Sequence, residues 1–174
     1  VSNDAEVNTS GESYVAWQWL NDSLTTSSNT DGDITSTVLA NTTAGYSIVT
    51  ATPSLTGTEN IGHGIGISPK MILGKNLEFA DNWYVYHDAI SPAQSISLNT
   101  TGAATTTRYN AATTSSVFQI VNGAWTNGGQ KCLWYCFAEV EGFSKFDSYT
   151  GNGSTDGPFV YTGFKPAFVM FKVS

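Results

Sequence analysis

The pair of residues best suited by type and spacing to do chemistry is Glu139 and Glu141, which follow an aromatic and apolar run. Residues two apart on a β-strand point to the same face, and two carboxylates on one face are what glycosidases use to cleave sugar chains. Such a pair needs a cleft and environments that separate the two pKa values. Here Gly142 follows at once and no third acid comes directly after it. We therefore interpret the pair as exposed at a strand end, and the sequence predicts no catalytic residue and no enzyme.

The two histidines are the next candidates, because His63 and His87 could serve as general bases or metal ligands. His63 lies among glycines in a segment that recurs 97 residues later, where Val160 takes its place. A residue whose counterpart is valine is expected to be structural. Serine is abundant, but no Gly-x-Ser-x-Gly motif occurs, so nucleophilic hydrolysis has little support.

Metal ligands are also sparse. Asp31 and Asp33 flank Gly32 and could offer loop oxygens to calcium, although the spacing of an EF-hand is absent and a turn is favoured. Cys132 and Cys136 are four residues apart, about 13 Å on a strand, which is too far for a disulfide. We predict buried free thiols, as suits folding in a reducing cytoplasm, and neither a metal nor a cofactor.

Aromatic side chains are better candidates for binding than for catalysis. Flat amphipathic rings can stack on sugars, and the predicted ligand-binding residues are Trp83, Tyr84, Tyr86 and Trp125. Most of the chain's 22 Phe, Trp and Tyr residues must still form a core. Hydrophilic loops at 21–33, 100–116 and 122–130 would supply the adaptable polar groups of a weak, multivalent sugar site.

The composition limits the possible partners. The 174 residues include 23 threonines, 19 serines, 13 asparagines and 17 glycines, whereas only 12% are charged and the net charge is −7. An acidic chain without a basic cluster argues against binding nucleic acid or anionic lipid. The longest apolar runs are far shorter than the ~20 residues of a membrane helix. The start, Val1-Ser2-Asn3-Asp4, resembles no signal peptide, so we expect the numbering to open inside a longer or processed chain.

Short β-branched and aromatic runs between Gly, Asn, Ser and Pro clusters predict strands, and no window shows a capped helical stripe. The expected fold is all-β, a two-sheet antiparallel β-sandwich of the jelly-roll or concanavalin A-like kind with few short helices. The predicted strands lie at 13–19, 34–39, 45–51, 70–75, 82–87, 95–99, 115–121, 132–139, 143–149, 158–162 and 167–173. The polar stretches at 21–33, 54–60, 100–116 and 151–157 are predicted loops.

An internal sequence repeat bears on domain organisation. The sequence at 45–47 recurs at 142–144, and the sequence at 66–75 recurs at 163–172, both with an offset of 97 residues. This predicts the end of one repeat unit at 1–44, a full unit at 45–141 and the start of another at 142–174. The alternative is two similar hairpins within one sandwich, with 1–44 and 142–174 as its first and closing strands, and one compact body is expected overall.

The same residues carry a resemblance. The chain is similar to a repeat domain of virion proteins from marine tailed phages, including phages of cyanobacteria. The matching stretches are TTAGYSIVT at 42–50, GHGIGISPKMI at 62–72, WYVYH at 83–87, CFAEVEGFSKF at 136–146, SYTGNGS at 148–154 and DGPFVYTGFKPAFVM at 156–170. One departure is Gly74, where other copies of the domain carry an apolar or charged residue.

The resemblance implies a concanavalin A-like sandwich in a tail, fibre or other appendage of the virion, made in the bacterial host's cytoplasm. It brings no catalytic residues with it. The expected function is that of a non-enzymatic structural module that spaces or presents a host-binding surface, with other copies of itself, virion proteins and host-surface polysaccharide as partners. A carbohydrate-binding module of a secreted or surface protein and a glycan-cleaving enzyme using Glu139 and Glu141 are the alternatives.

Overall fold

Nine strands and one short helical turn make up the regular structure of the computed structural model, which describes residues 9–14, 25–105, 108–125 and 129–174. The strands are β1 (Ser27–Asn29), β2 (Ser36–Asn41), β3 (Tyr46–Ala51), β4 (Thr58–Gly62), β5 (Met71–Asn76), β6 (Tyr84–His87), β7 (Ile96–Ser97), β8 (Val117–Val121) and β9 (Cys132–Phe137). A 3₁₀ turn, Asn122–Ala124, follows β8.

Seven of the strands form one antiparallel sheet in the order β1-β2-β3-β9-β5-β6-β7, and β4 pairs with β8 in a second, antiparallel sheet. The last strand, β9, lies at the centre of the larger sheet between β3 and β5. Strands close in sequence are joined by hairpins, whereas β9 enters the sheet through long-range pairing. β9 therefore joins β1–β3 and β5–β7 into one sheet.

The two faces of β9 show why the sheets pack together. Cys132, Trp134 and Cys136 alternate with half-exposed neighbours and are fully buried, as expected for a strand with one face on a core. The Trp134 ring lies 5.4 Å from that of Phe118 on the opposing sheet, measured between centroids. Buried side chains of both sheets form one hydrophobic cluster. The prediction of an all-β, two-sheet sandwich is confirmed, and the finer likeness to jelly-roll or concanavalin A-like topology stays a prediction.

The strand predictions between residues 34 and 139 are largely right. Each of the seven runs predicted there corresponds to a strand, namely β2, β3, β5, β6, β7, β8 and β9. Two strands lie where loops were expected: β1 within 21–33 and β4 overlapping 54–60. Both are mostly polar, with Ile61 the one apolar side chain of β4, and the backbone of β4 pairs with β8 along its full length.

The predicted strands at 143–149, 158–162 and 167–173 are wrong. After an isolated bridge between Val140 and Ser144, the chain to residue 174 contains no strand, and most of its side chains are exposed. The sequence has strand character there, but in the described residues it pairs neither with the edge strands β1 and β7 of the larger sheet nor with β4 or β8. Of the predicted strand at 13–19, residues 13–14 are not in a strand and 15–19 lie outside the described residues.

The hairpin of β2 and β3 spans the predicted unit boundary between residues 44 and 45, so β2 belongs to the same sheet as the rest of the sandwich. The predicted repeat units at 1–44, 45–141 and 142–174 stay a prediction. Among the described residues, no helix has the length and apolar character needed to cross a bilayer.

Candidate functional site

A small pocket opens where the predicted loops at 100–116 and 122–130 meet the connection between β5 and β6. It has a volume of about 220 Å³. Its lining residues are Phe79, Asp81, Arg108, Gly123, Ala124, Trp125 and Gln130. Most of the lining side chains stand on connections held by the sandwich beneath them, which is a common position for binding residues.

Asp81 and Arg108 form the polar wall of this pocket, and Tyr84 binds both of them. The Tyr84 hydroxyl donates to Asp81 Oδ1 over 2.7 Å and accepts a hydrogen bond from the Arg108 guanidinium. That guanidinium also lies 3.5 Å from Asp81 Oδ2 and stacks on the Tyr84 ring, with Cζ 3.8 Å from its centroid. Burial, together with the hydrogen bond to Asp81, raises the pKa of Tyr84 above its ordinary value. The phenol therefore stays protonated at neutral pH and fixes the other two groups.

Trp125 forms the floor of the pocket and is itself buried. Its indole Nε1 donates to the Arg108 carbonyl over 2.8 Å, and its carbonyl accepts from Asn76 Nδ2 over 2.6 Å. A Cβ at Gly74 would overlap the Trp125 ring and come within 2.8 Å of Trp134 Cδ1. The unusual glycine in β5 thus makes room for the tryptophan that supports the pocket.

Phe79 and Gln130 stand at the opening. About half of the Phe79 side chain is exposed, whereas Gln130 Oε1 accepts from Asn76 Nδ2 over 3.0 Å. The turn that carries Phe79 is held by Asn76 Oδ1, which accepts from the backbone N–H groups of Glu78 and Phe79. One buried asparagine therefore positions both rims of the pocket.

The four predicted ligand-binding aromatics are distributed over both faces of the larger sheet. Tyr84 and Trp125 contact each other with ring centroids 5.7 Å apart, and Trp125 lines the pocket. Tyr86 is fully buried and packs edge-on against Tyr109. Trp83 is half-buried and stacks on Tyr135, an outward-facing residue of β9. Ligand contact at these four residues stays a prediction, and Tyr84 and Trp125 are the two that the structure brings together.

Phe79, Asp81, Arg108 and Gln130 were missed by the sequence analysis. Arg108 did carry a signal, because it is the chain's only arginine and lies within a loop predicted to be functional. The exposed Phe79 and the paired Asp81 have no such signal in their local sequence.

Glu139 and Glu141 line a second, open cleft of about 630 Å³ between the turn at 140–144 and the chain at 161–163. Glu139 is paired with Lys145, whose Nζ lies 3.0 Å from Oε1, and Glu141 is exposed. This ion pair raises the pKa of Lys145. One carboxylate of the pair is therefore engaged by a lysine and the other faces solvent.

His63 is fully buried in the sandwich. Its Nε2 faces the Thr114 carbonyl at 3.2 Å, and its Nδ1 accepts from the N–H of Ile65. These partners require the neutral Nε2–H tautomer, and burial lowers the pKa of the imidazole. His63 is thus held as a structural group.

Asp33 joins β4 to the chain before β2, whereas Asp31 contacts Asn29 at the end of β1. Asp33 Oδ2 accepts from the backbone N–H of Asn60 over 2.7 Å, and Asp31 Oδ2 accepts from Asn29 Nδ2. In the described part of the chain, no group of three or more His, Cys, Asp or Glu residues could hold a metal ion.

The two cysteines are free and buried, as predicted. Burial raises the pKa of Cys132 to about 12, and that of Cys136 higher still. Neither sulfur is therefore a nucleophile at neutral pH.

Fold and site together define an all-β, two-sheet sandwich domain with a small aromatic and polar surface pocket. The chain belongs to the family DUF7483, a domain of unknown function, whose model matches residues 1–174. No curated protein and no solved structure matches the chain.

Proposed function

We propose that this chain is a non-enzymatic structural module of a phage virion, in a tail, fibre or other appendage, that spaces or presents a host-binding surface. The phage context rests on the resemblance at 42–50, 62–72, 83–87 and 136–170. The sandwich is consistent with a spacing role, because its core joins distant parts of the chain in one body. Other copies of the chain and virion proteins are the proposed partners, and the virion is the proposed location.

The observation that carries the host-binding part is the pocket beside Arg108. An exposed aromatic ring, Phe79, stands next to a prearranged carboxylate and guanidinium, Asp81 and Arg108. Sugar recognition commonly combines a flat apolar face with fixed hydrogen-bonding groups, so host-surface polysaccharide is the ligand class that fits. A pocket of this size takes about one sugar unit, and many copies on a particle would supply avidity.

The proposal of a binding site rather than a catalytic one follows from the partners of the acids. Asp81 Oδ1 accepts from the Tyr84 hydroxyl and from the backbone N–H of Asn82. Glu139 is similarly engaged by Lys145. A general acid or base needs a free proton-transfer position near its working pH, and these carboxylates serve as hydrogen-bond and ion-pair acceptors instead.

A carbohydrate-binding module of a secreted or surface protein is the second candidate, and the same Phe79 pocket favours it. The two candidates differ in genetic context, because a phage module would be encoded among tail genes. A glycan-cleaving enzyme is the third, and it would depend on Glu139 and Glu141 in their open cleft.

The experiment uses purified cell-surface polysaccharide from a cyanobacterial host, with binding and release of reducing ends measured together. We expect binding without release of reducing ends, and loss of binding in Phe79→Ala. Leu77→Ala is the matched control, because Leu77 is similarly exposed on the same turn but does not line the pocket. Equal loss in both variants, or no binding by the wild type, would contradict the pocket as a sugar site. Turnover that disappears in Glu139→Gln would establish the enzyme instead.

A further inference from the structure

The C-terminal segment, residues 158–173, presents apolar side chains to solvent on a scale unusual for a folded domain. Phe159, Tyr161, Val169, Phe171 and Val173 each have between 68 and 89% of their surface exposed. The segment is nonetheless attached near its end, where Lys172 Nζ donates to the Thr100 carbonyl over 2.5 Å.

The sequence of this segment is that of a core strand. Residues 163–172 repeat the pattern of 66–75, and in that pattern 71–75 belong to β5, which is paired on both sides. In the described structure, residues 164–173 belong to no strand. A sequence with strand character therefore lies outside both described sheets, and its most exposed apolar side chains face solvent.

The segment cannot replace β5 in a sandwich of this kind. Phe171 is the counterpart of Gly74, where even a single added carbon would overlap the Trp125 ring. An exchange of β5 for the C-terminal segment between two molecules is therefore sterically excluded. The segment needs a different surface to cover it.

The area and charge of the segment indicate what that surface is. At roughly 200 Å² for a full aromatic side chain, Phe159, Tyr161 and Phe171 alone expose about 500 Å². That is more than half of the ~800 Å² that each partner contributes to a stable interface. Residues 158–174 contain two lysines and no acid, whereas residues 1–157 contain 14 acids and five basic residues. An apolar, basic segment is complementary to the acidic body of the same protein.

We infer that the C-terminal segment is the contact surface through which the chain binds a second copy of itself, by docking on the acidic body of that copy. This inference rests on the proposed assembly with other copies and names the segment that performs it. The contact joins different surfaces of the two molecules, the segment of one and the body of the next. Such a heterologous contact can continue from copy to copy into a ring or an array.

The test is the mass of the assembly at tens of micromolar, by sedimentation equilibrium and native mass spectrometry. We expect the wild type to form dimers or larger species and the double variant Phe159→Ser/Phe171→Ser to be monomeric. The matched control, Leu55→Ser/Ile67→Ser, removes two exposed apolar side chains elsewhere and should assemble like the wild type. Hydrogen exchange of the wild type supplies a second readout, because the amides of 164–173 should become protected as concentration rises.

Charge is tested by Lys165→Glu, which should weaken assembly at least several-fold without affecting the fold, because Lys165 is exposed. A wild type that is a monodisperse monomer would overturn the inference. Assembly that persists unchanged in Phe159→Ser/Phe171→Ser, or in Lys165→Glu, would overturn it as well. The two proposals remain separable. The pocket beside Arg108 should bind polysaccharide in Phe159→Ser/Phe171→Ser whether or not the segment mediates assembly.

Discussion

Single residues of this protein have roles that follow from what fits around them. Gly74 is the clearest case, because the absence of a side chain lets Trp125 approach β5 and support the pocket. A close approach of this kind, rather than an unusual backbone angle, explains why glycine stands in the middle of a central strand.

Gly74→Ala is expected to destabilise the fold by about 1–3 kcal/mol, the usual cost of overfilling a packed core. It should also displace Trp125, which would appear as a shift in tryptophan fluorescence. Gly157→Ala is the control, because a Cβ there meets no atom within 4 Å. Equal stability of the two variants in urea unfolding would contradict the proposed role of Gly74.

The thiols give a second prediction at the residue scale. Because burial raises the pKa of Cys132 to about 12 and that of Cys136 further, neither should react with a disulfide reagent at pH 8 in the native protein. Both should react once the protein is unfolded. Ser91→Cys places a thiol at an exposed position and should react at once. Rapid labelling of the native wild type would show that β9 opens readily.

The elements of the fold depend on polar as well as apolar contacts. Asp33, in the connection between β1 and β2, attaches β4 to the larger sheet. Its carboxylate accepts hydrogen bonds from both the backbone and the side chain of Asn60 in β4. Gly32 beside it lies so close to the Asn60 carbonyl that a Cβ would overlap that oxygen. This contact holds a strand that hydrophobic patterning alone does not predict.

Asp33→Ala should therefore lower the free energy of unfolding by about 1–3 kcal/mol, since hydrogen bonds to a charged acceptor contribute in that range. Asp156→Ala removes a carboxylate from an exposed loop and should change stability little. The comparison is made by urea unfolding of the two variants and the wild type at the same pH. If the two variants were equally stable, the Asp33 carboxylate would not contribute to holding β4.

The pH dependence of stability is a property of the whole molecule. Burial lowers the pKa of His63 below its ordinary value of 6.5. Burial also lowers the pKa of His87, which is less deeply buried. As pH falls through 6.5, the unfolded chain takes up protons that the folded protein does not bind. The unfolded state then binds more protons, so the free energy of unfolding falls with decreasing pH.

We expect stability to be at its full value above pH 6.5 and to be lost from there towards pH 5, by at most about 1.4 kcal/mol per pH unit for each histidine. His87→Gln should keep part of this dependence, and His63→Gln/His87→Gln should lose most of it. Urea unfolding at a series of pH values is the measurement. A wild type whose stability stays constant or rises between pH 6.5 and 5 would show that the imidazole of His63 is not held neutral by the fold.

Local sequence was sufficient to predict the strands of the sandwich core. Alternating side chains in a run such as Cys132–Phe137 indicate directly which of them face inward. It was also sufficient for the buried thiols, since four strand residues separate two sulfurs too widely to join. The mostly polar strands β1 and β4 escaped it, because β1 has no apolar side chain and β4 contributes only Ile61 to the core, so their pairing with β2 and β8 is not visible in the local pattern.

The pocket and the C-terminal segment depended on partners distant in the chain. Asp81, Arg108 and Trp125 meet because β5, β6 and the turn after β8 converge, and no local pattern encodes that distance. The stretch at 163–172 has almost the same pattern as β5 but stays on the surface. A strand requires pairing as well as a suitable sequence: β5 is paired with β9 and β6, whereas no described strand pairing includes residues 163–172.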